Sequence, residues 1–165
     1  MRIARALLAP LVVAGGLLLP TLASRADAPP GRYSIGGGTA LDTKTGLRWQ
    51  QAFAPGPYTW TAALAYCKAL SLGGYSSGWR LPSMKELRTL VDESTYNPAI
   101  DATAFPGIAA TDSPVRPGTF FWTSTPVATY PITAWYVNFY DGSPGYGIIN
   151  AKGVAGNSYS TRCVR

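Results

Sequence analysis

A helical stripe of apolar residues lies within Tyr58–Leu70. Thr59 precedes the stripe and suits a helix N-cap, and Gly73 and Gly74 follow it as a stop signal. Because the apolar residues recur at intervals of three and four, they share one helix face, and this face carries Cys67 toward the core. The members of the stripe are Trp60, Ala63, Leu64, Cys67 and Leu70.

A second, shorter helix is predicted to begin at Ser83. Ser83 and Glu86 have the spacing of a capping box, in which each side chain bonds the backbone N–H of the other residue. Apolar residues follow on one face: Met84, Leu87, Leu90 and Val91. Beyond them, Asp92–Gly118 is rich in Pro, Gly, Asp, Ser and Thr. We predict a long irregular loop there, anchored by the packing of Phe105 and Ile108.

Strand-like segments lie near the start of the chain and fill its last third. Thr39–Asp42 and Leu47–Gln50 flank a turn that ends in Gly46, which predicts a β-hairpin. Later segments with strand character or turn signals at their ends are residues 119–125, 134–140, 146–150 and 159–165. The order of these elements predicts an α+β fold, with the two helices packed on short antiparallel sheets. The elements are a hairpin, two helices, a long irregular loop and a final meander.

The amino-terminal residues have the features of a secretory signal peptide. Arg2 and Arg5 precede an uncharged, mostly apolar run over residues 6–19, and a small-x-small pattern ends at Ala28. The run is shorter than the about 20 apolar residues of a transmembrane helix, so we expect no stable membrane span after processing. A retained N-terminal anchor is the alternative. The predicted divisions are a signal peptide, a flexible Pro/Gly-rich lead and one secreted or periplasmic domain: residues 1–28, 29–38 and 39–165.

The net charge of +6 is modest, and the basic residues are scattered along the chain. Nucleic-acid binding is not expected, because it calls for a concentrated basic stripe. The charge is compatible with an acidic partner such as an anionic polysaccharide. Arg162, in the last segment, is predicted to form an ion pair with Glu86 or Asp92.

The sequence contains no histidine, which limits the catalytic chemistry it can support. His-based catalytic sites and His-rich metal sites are thereby excluded. Asp92 and Glu93 stand at a predicted helix end, and we expect them to face solvent rather than to hydrolyse glycosides. We expect no enzyme, no cofactor and no metal site, although Asp101, Asp112 and Asp141 could offer oxygens to calcium.

Cys67 and Cys163 are the only two cysteines. In an exported protein, an isolated pair most simply forms one disulfide. This bond would join the first helix to the last strand. No Cys-x-x-Cys motif is present, so a redox or zinc site is not supported.

Five motifs occur in an order that resembles a known family. They are Trp79–Leu87, Asn97–Asp101, Phe120–Thr125, Ala134–Phe139 and Arg162–Arg165. Together they resemble the domain that forms the C-terminal part of Legionella collagen-like adhesins (Lcl), over roughly residues 39–165. The resemblance implies a C-type-lectin-like fold related to the formylglycine-generating domains, with a disulfide between the first helix and the last strand. The adhesin members imply binding of glycans at surfaces.

Strand alternation over residues 134–140 divides the side chains between two faces. The set expected to face the core is Trp135, Val137 and Phe139. The set expected to face outward combines aromatic rings with an amide, which suits stacking on sugar rings and bonding their hydroxyls: Tyr136, Asn138 and Tyr140. Tyr146 and Asn150 extend this candidate ligand-binding face along the next segment. Alternatively, the tyrosines merely cover a sheet face or pack under the long loop.

These patterns lead to a hypothesis about function. The chain is predicted to be an exported, non-catalytic binding domain of adhesin-like character that recognises a glycan or another surface polymer. The competing hypothesis is a structural or protein-interaction module of the cell envelope with no sugar site. A shallow groove lined by tyrosines would favour the first hypothesis, and a flat apolar patch would favour the second.

Overall fold

The computed structural model describes residues 28–108, 117–148 and 157–165. Three predictions fall outside these residues: the signal peptide up to residue 27, the part of the loop that contains Asp112, and the segment that contains Asn150. Within the described residues, no helix is long and apolar enough to cross a membrane.

The amino-terminal part of the domain is a three-stranded antiparallel sheet in the order β1-β2-β3. Its strands are β1 (Tyr33–Gly36), β2 (Thr39–Asp42) and β3 (Arg48–Gln50). β2 and β3 form the predicted hairpin, with Ala40 opposite Trp49. The turn between them contains Gly46 at φ +74°, a conformation that glycine adopts without a steric penalty. The hairpin prediction is confirmed.

β1 lies inside the lead that the sequence predicts to be flexible, so residues 33–36 of the lead form a strand, and its flexibility stays a prediction. Arg32 donates a hydrogen bond of 3.2 Å to the fully buried carboxylate of Asp42. Burial is the largest single effect on the Asp42 carboxyl and opposes its ionisation, but the hydrogen bonds from Arg32 and the Lys44 N–H and the charge of Arg32 together lower its pKa. The backbone of the lead is also satisfied by pairing with β2, which composition alone does not reveal.

The first predicted helix is present as α1 (Trp60–Ala69). The Thr59 hydroxyl accepts a hydrogen bond from the backbone N–H of Ala62 at 3.4 Å, so the predicted N-cap is confirmed. Ala63 and Cys67 are the buried residues of the helix, and they lie on the predicted stripe. The helix therefore presents Cys67 to the core.

The second helix is α2 (Met84–Arg88), and it begins with the predicted capping box. Ser83 Oγ accepts from the Glu86 N–H at 3.3 Å, and the Glu86 carboxylate accepts from the Ser83 N–H at 2.8 Å. Glu86 also forms an ion pair with Arg80, with 2.6 Å between Nη2 and Oε1. The predicted ion pair of Arg162 is wrong, because Arg162 is fully buried and donates to the Gln50 carbonyl instead.

The last third of the chain forms a second three-stranded antiparallel sheet in the order β5-β6-β7. Its strands are β5 (Phe120–Val127), β6 (Tyr130–Asn138) and β7 (Pro144–Ile148). The register of β5 on β6 shifts between Trp122 and Pro126, which marks a β-bulge. The strands lie close to the predicted segments, although β6 and β7 begin earlier than the sequence indicates.

The carboxyl-terminal segment pairs with several parts of the chain in turn. The remaining two strands form a small sheet: β4 (Tyr58–Thr59) and β8 (Ser158–Tyr159). After β8, Val164 makes bridges to both Trp49 and Arg80. The prediction of one continuous strand over 159–165 is therefore wrong, because the segment exchanges one partner for another every few residues.

Apolar side chains collect in two clusters, which we call the first core and the second core. The large buried residues of the first core include Trp49, Leu87, Ile100, Phe105, Phe121, Val137, Phe139 and Val164. The buried residues of the second core are Ala63, Cys67, Trp79, Leu81, Trp122, Ala134 and Cys163. Phe105 and Ile108 are both buried in the first core, so their predicted role as loop anchors is confirmed.

A disulfide joins Cys67 of α1 to Cys163, across a Cα–Cα distance of 5.4 Å. Both residues are fully buried. The predicted cross-link is confirmed. Two helices on several small antiparallel sheets also confirm the α+β class, whereas the C-type-lectin-like form of that class stays a prediction.

Candidate functional site

The predicted binding residue Tyr136 lies against other aromatic rings rather than facing solvent. Its ring centroid is 4.9 Å from that of Phe120 and 5.0 Å from that of Tyr159. Burial raises the pKa of the Tyr136 hydroxyl, and the negative charge of Asp141 adds to this effect. Tyr136 therefore packs on the second core, and its predicted outward orientation is wrong.

Asn138 is also turned inward, with only 5% of its surface exposed. Its side-chain oxygen accepts a hydrogen bond from the Tyr140 N–H at 3.0 Å. The Asn138 N–H donates to the Ser143 carbonyl at 2.8 Å. Asn138 thus closes the turn between β6 and β7, and the predicted exposure of its amide is wrong.

Both faces of the second sheet are covered where β6 crosses the middle of the domain. Val137 lies in the first core, and its neighbour Tyr136 packs against the second core. Alternation along a strand separates buried from exposed side chains only when one face of the sheet is exposed to solvent and the other packs on a core. Because this sheet lies between two cores, alternation along β6 does not separate buried residues from exposed ones.

The exposed aromatic surface instead lies toward the outer end of β6 and β7. Trp135 is half-buried and directly opposite Tyr146 in the strand pairing, with 6.0 Å between ring centroids. Tyr146 is 54% exposed, and its ring stacks on that of Tyr130, which is 57% exposed, with 6.1 Å between centroids. We call Tyr130, Trp135 and Tyr146 the aromatic platform. The prediction that Trp135 belongs to the core is wrong, because the first core reaches along β6 only as far as Val137.

Two glycines of β7 explain why Tyr146 faces away from the second core. A Cβ atom on Gly145 would lie 2.4 Å from the Tyr136 ring, and one on Gly147 would lie 2.7 Å from the Tyr159 ring. The inner face of β7 therefore accepts no side chains at these positions. Tyr146, between the two glycines, projects from the opposite face because side chains alternate along a strand.

Tyr140 belongs to a different surface. It is half-buried, and its ring lies 6.3 Å from the ring of Tyr96, which is 73% exposed. The Asn97 N–H donates to the Tyr140 carbonyl and holds the two segments together. Of the four predicted binding residues that the structure describes, Tyr146 alone is strongly exposed. The sequence pattern missed Tyr130 and Trp135 as surface residues, although the alternation of Gly145, Tyr146 and Gly147 was a usable signal.

Carboxylates do not converge on a metal site within the described part of the chain, where no group of three or more His, Cys, Asp or Glu residues could hold a metal ion. Asp92 Oδ1 accepts from the Ser94 N–H at 2.9 Å, and Asp141 Oδ1 accepts from the Ser143 N–H at 2.9 Å. Both side chains thus stabilise turns, which is the ordinary role of aspartate in such loops. Glu93 is exposed and lies 3.5 Å from Arg88.

A cavity of about 650 Å³ lies between the amino-terminal lead and the end of α2. Its walls are partly apolar, through Tyr33 and Leu90, and partly acidic, through Asp92 and Asp101. Asp101 also accepts a hydrogen bond from the Ala28 N–H at 3.0 Å. No residue of the aromatic platform lines this cavity, so the platform is an open surface in its own right.

Comparison with known proteins gives one finding. The sequence model of the Lcl C-terminal domain matches residues 38–165. A search of curated proteins found no match. A search of solved structures found none either. The match covers well over half of the chain and includes both core clusters, the disulfide and the platform. This chain belongs to the Lcl C-terminal domain family.

Proposed function

We propose that the chain is an exported, adhesin-like binding domain without catalytic activity, and that its aromatic platform recognises a glycan. Membership of the Lcl C-terminal domain family supports an extracellular, adhesin-like role. The buried disulfide supports export, because such bonds persist in oxidising compartments. The observation that carries the proposal is the exposure of two stacked rings, Tyr130 and Tyr146, beside the half-buried ring of Trp135 at the end of the second sheet.

The chemistry of the platform suits a sugar. Its tyrosine rings offer flat apolar faces on which the C–H face of a pyranose can stack, and their hydroxyls can bond to sugar hydroxyls. Trp135 meets Tyr146 at 85°, so the platform contains rings in two orientations. Contact with an apolar ligand face would also cover aromatic surface that is otherwise in water.

A protein partner is the competing proposal, and one residue favours it. Ile132 lies within β6 close to the platform and is 54% exposed. An exposed isoleucine has no hydroxyl with which to bond a sugar, whereas it packs readily in a protein interface. Substitution of Ile132 therefore separates the two proposals.

A glycan array on the oxidised protein, with and without calcium, tests the proposal directly. For each glycan that the wild-type protein binds on the array, Tyr146→Ala and Tyr130→Ala should each lower the affinity about 5-fold. This factor corresponds to about 1 kcal/mol for a lost ring contact. Tyr96→Ala is the matched control, because it removes an equally exposed tyrosine from another surface. Ile132→Ser should leave glycan affinity unchanged.

Two results would contradict the proposal. The first is an array without reproducible hits. The second is an equal loss of binding in the Tyr96 variant and in the platform variants, since the platform would then have no special part in recognition.

A further inference from the structure

Arg162 is a positively charged side chain in the interior of the domain. It is 0% exposed, and none of the ion pairs of the described residues includes it. Its Nη1 donates to the Gln50 carbonyl at 2.9 Å and to the Gln51 carbonyl. These two carbonyls satisfy one nitrogen of the guanidinium. Because a backbone carbonyl carries no net charge, they do not neutralise the positive charge of the group.

Aromatic rings surround the same guanidinium. Its central carbon lies 4.7 Å from the centre of the Phe105 ring and 5.6 Å from that of Phe121. Cation–π contacts of this kind stabilise a desolvated charge. The cost of burying an ion is larger than this stabilisation, so these contacts offset only part of it.

The other two nitrogens of the group, Nε and Nη2, are buried, and neither has a hydrogen-bond acceptor within the described part of the chain. They form one edge of the planar guanidinium, the edge that binds anions side-on. Trp49 Nε1 is a further buried donor without an acceptor. Trp49 lies in the first core together with Phe105 and Phe121, the two rings that contact the guanidinium.

Among the residues that the structure describes, no nearby group supplies the missing negative charge. The carboxylate of Asp42 bonds to Arg32, and that of Asp101 bonds to backbone N–H groups at residues 28, 103 and 104. Burial raises the pKa of the Tyr33 hydroxyl, so this phenol stays neutral. Burial lowers the pKa of Arg162 to about 9, which leaves the guanidinium protonated at neutral pH.

We propose that the first core contains a binding site for one small monovalent anion, such as chloride, on the Nε–Nη2 edge of Arg162. Arg162 Nε, Arg162 Nη2 and Trp49 Nε1 are all donors, and the side chain that carries two of them is a cation. An anion satisfies the donors and neutralises the charge, whereas a water molecule does only the first. A surface cavity of about 220 Å³, lined by Gln50, Gln51 and Pro106, lies beside the residues whose carbonyls accept from Arg162.

Thermal unfolding in sodium chloride and in sodium gluconate of equal ionic strength tests the site. Gluconate is too large to enter the core. Once the site is filled, the midpoint Tm of the wild-type protein should rise by about 4 °C for each tenfold increase in chloride. Arg162→Met should abolish this rise. Arg88→Met is the matched control, because Arg88 is an exposed arginine and its variant should keep the full response.

Crystals grown in bromide decide the question even if Arg162→Met fails to fold. An anomalous bromide peak at hydrogen-bond distance from Nε and Nη2 of the wild-type protein would support the proposal. An ordered water there, or bromide on the surface alone, would overturn it. A Tm that responds equally to chloride and to gluconate would overturn it as well.

Discussion

Removal of the disulfide should cost the domain a large part of its stability. Cys67 and Cys163 are separated by 96 positions, so the bond closes a loop that spans most of the folded chain. On the chain-entropy model, a cross-link that closes about 100 residues stabilises the fold by about 4.7 kcal/mol. Small domains have total unfolding free energies of about 5–15 kcal/mol. The double variant Cys67→Ala/Cys163→Ala should therefore be marginally stable.

Urea unfolding provides the measurement, because tryptophan fluorescence reports directly on the region around the bond. Trp79 and Trp122 are buried in the second core together with both cysteines. With an m-value of about 2 kcal/mol per molar urea, a loss of about 4.7 kcal/mol lowers the midpoint by about 2 M. Wild-type protein treated with a reducing agent serves as the control, since it loses the cross-link but keeps the sulfur atoms.

The reduced wild type and the double variant should unfold within about 1 kcal/mol of each other, because the core packing of the sulfur atoms is the minor effect. A decrease below about 1 kcal/mol in both proteins would refute the reasoning. It would mean that the unfolded chain is already restrained without the bond, so that the loop length does not determine its contribution.

Two further predictions concern single side chains. Tyr136→Ala should lower the free energy of unfolding by about 2 kcal/mol, because it removes a ring that packs on the second core. Tyr146→Ala should change it by less than about 0.5 kcal/mol. Equal urea midpoints for the two variants would contradict the assignment of core and surface. Glu86→Gln should lower the free energy of unfolding by about 1 kcal/mol at neutral pH, because the hydrogen bond from Arg80 holds the pKa of Glu86 at about 2. The value is modest because solvent screens this partly exposed ion pair. That contribution is fully present above about pH 4.5 and is lost as the pH falls toward 2, so unfolding curves of wild type and variant should converge in acid, and a constant gap would refute the pKa argument.

The parts of the fold that depend on neighbouring residues could be predicted from the sequence. The Thr59 cap and the capping box of Ser83 and Glu86 follow from spacing alone, because every atom involved lies within one helical turn. The disulfide was predictable for a different reason: with only two cysteines there is one possible pair. The hairpin was predictable from neighbouring residues, as the helix caps were, because its register follows from a short turn.

The candidate site could not be predicted in the same way. The sequence shows that residues 134–140 form a strand, but it does not show that both faces of the sheet are covered by separate cores. Alternation assigns Trp135 to the core and Tyr136 to the outward face, whereas Trp135 belongs to the aromatic platform and Tyr136 packs on the second core. The environment of Arg162 was hidden for a related reason, since Gln50 and Phe105 are far from it in sequence.

The multiple partners of the carboxyl-terminal segment have a consequence for how the chain folds. Ser160 bonds to Phe120 and Trp122, and Val164 bridges Trp49 and Arg80, so residues 160–165 connect the first hairpin to the second sheet. Contacts between residues so distant in sequence form slowly, because a long loop must close before they are gained. A chain that lacks this segment lacks Val164 of the first core and Cys163 of the second, and it cannot complete either core. We therefore expect the domain to fold only after its last residues are available.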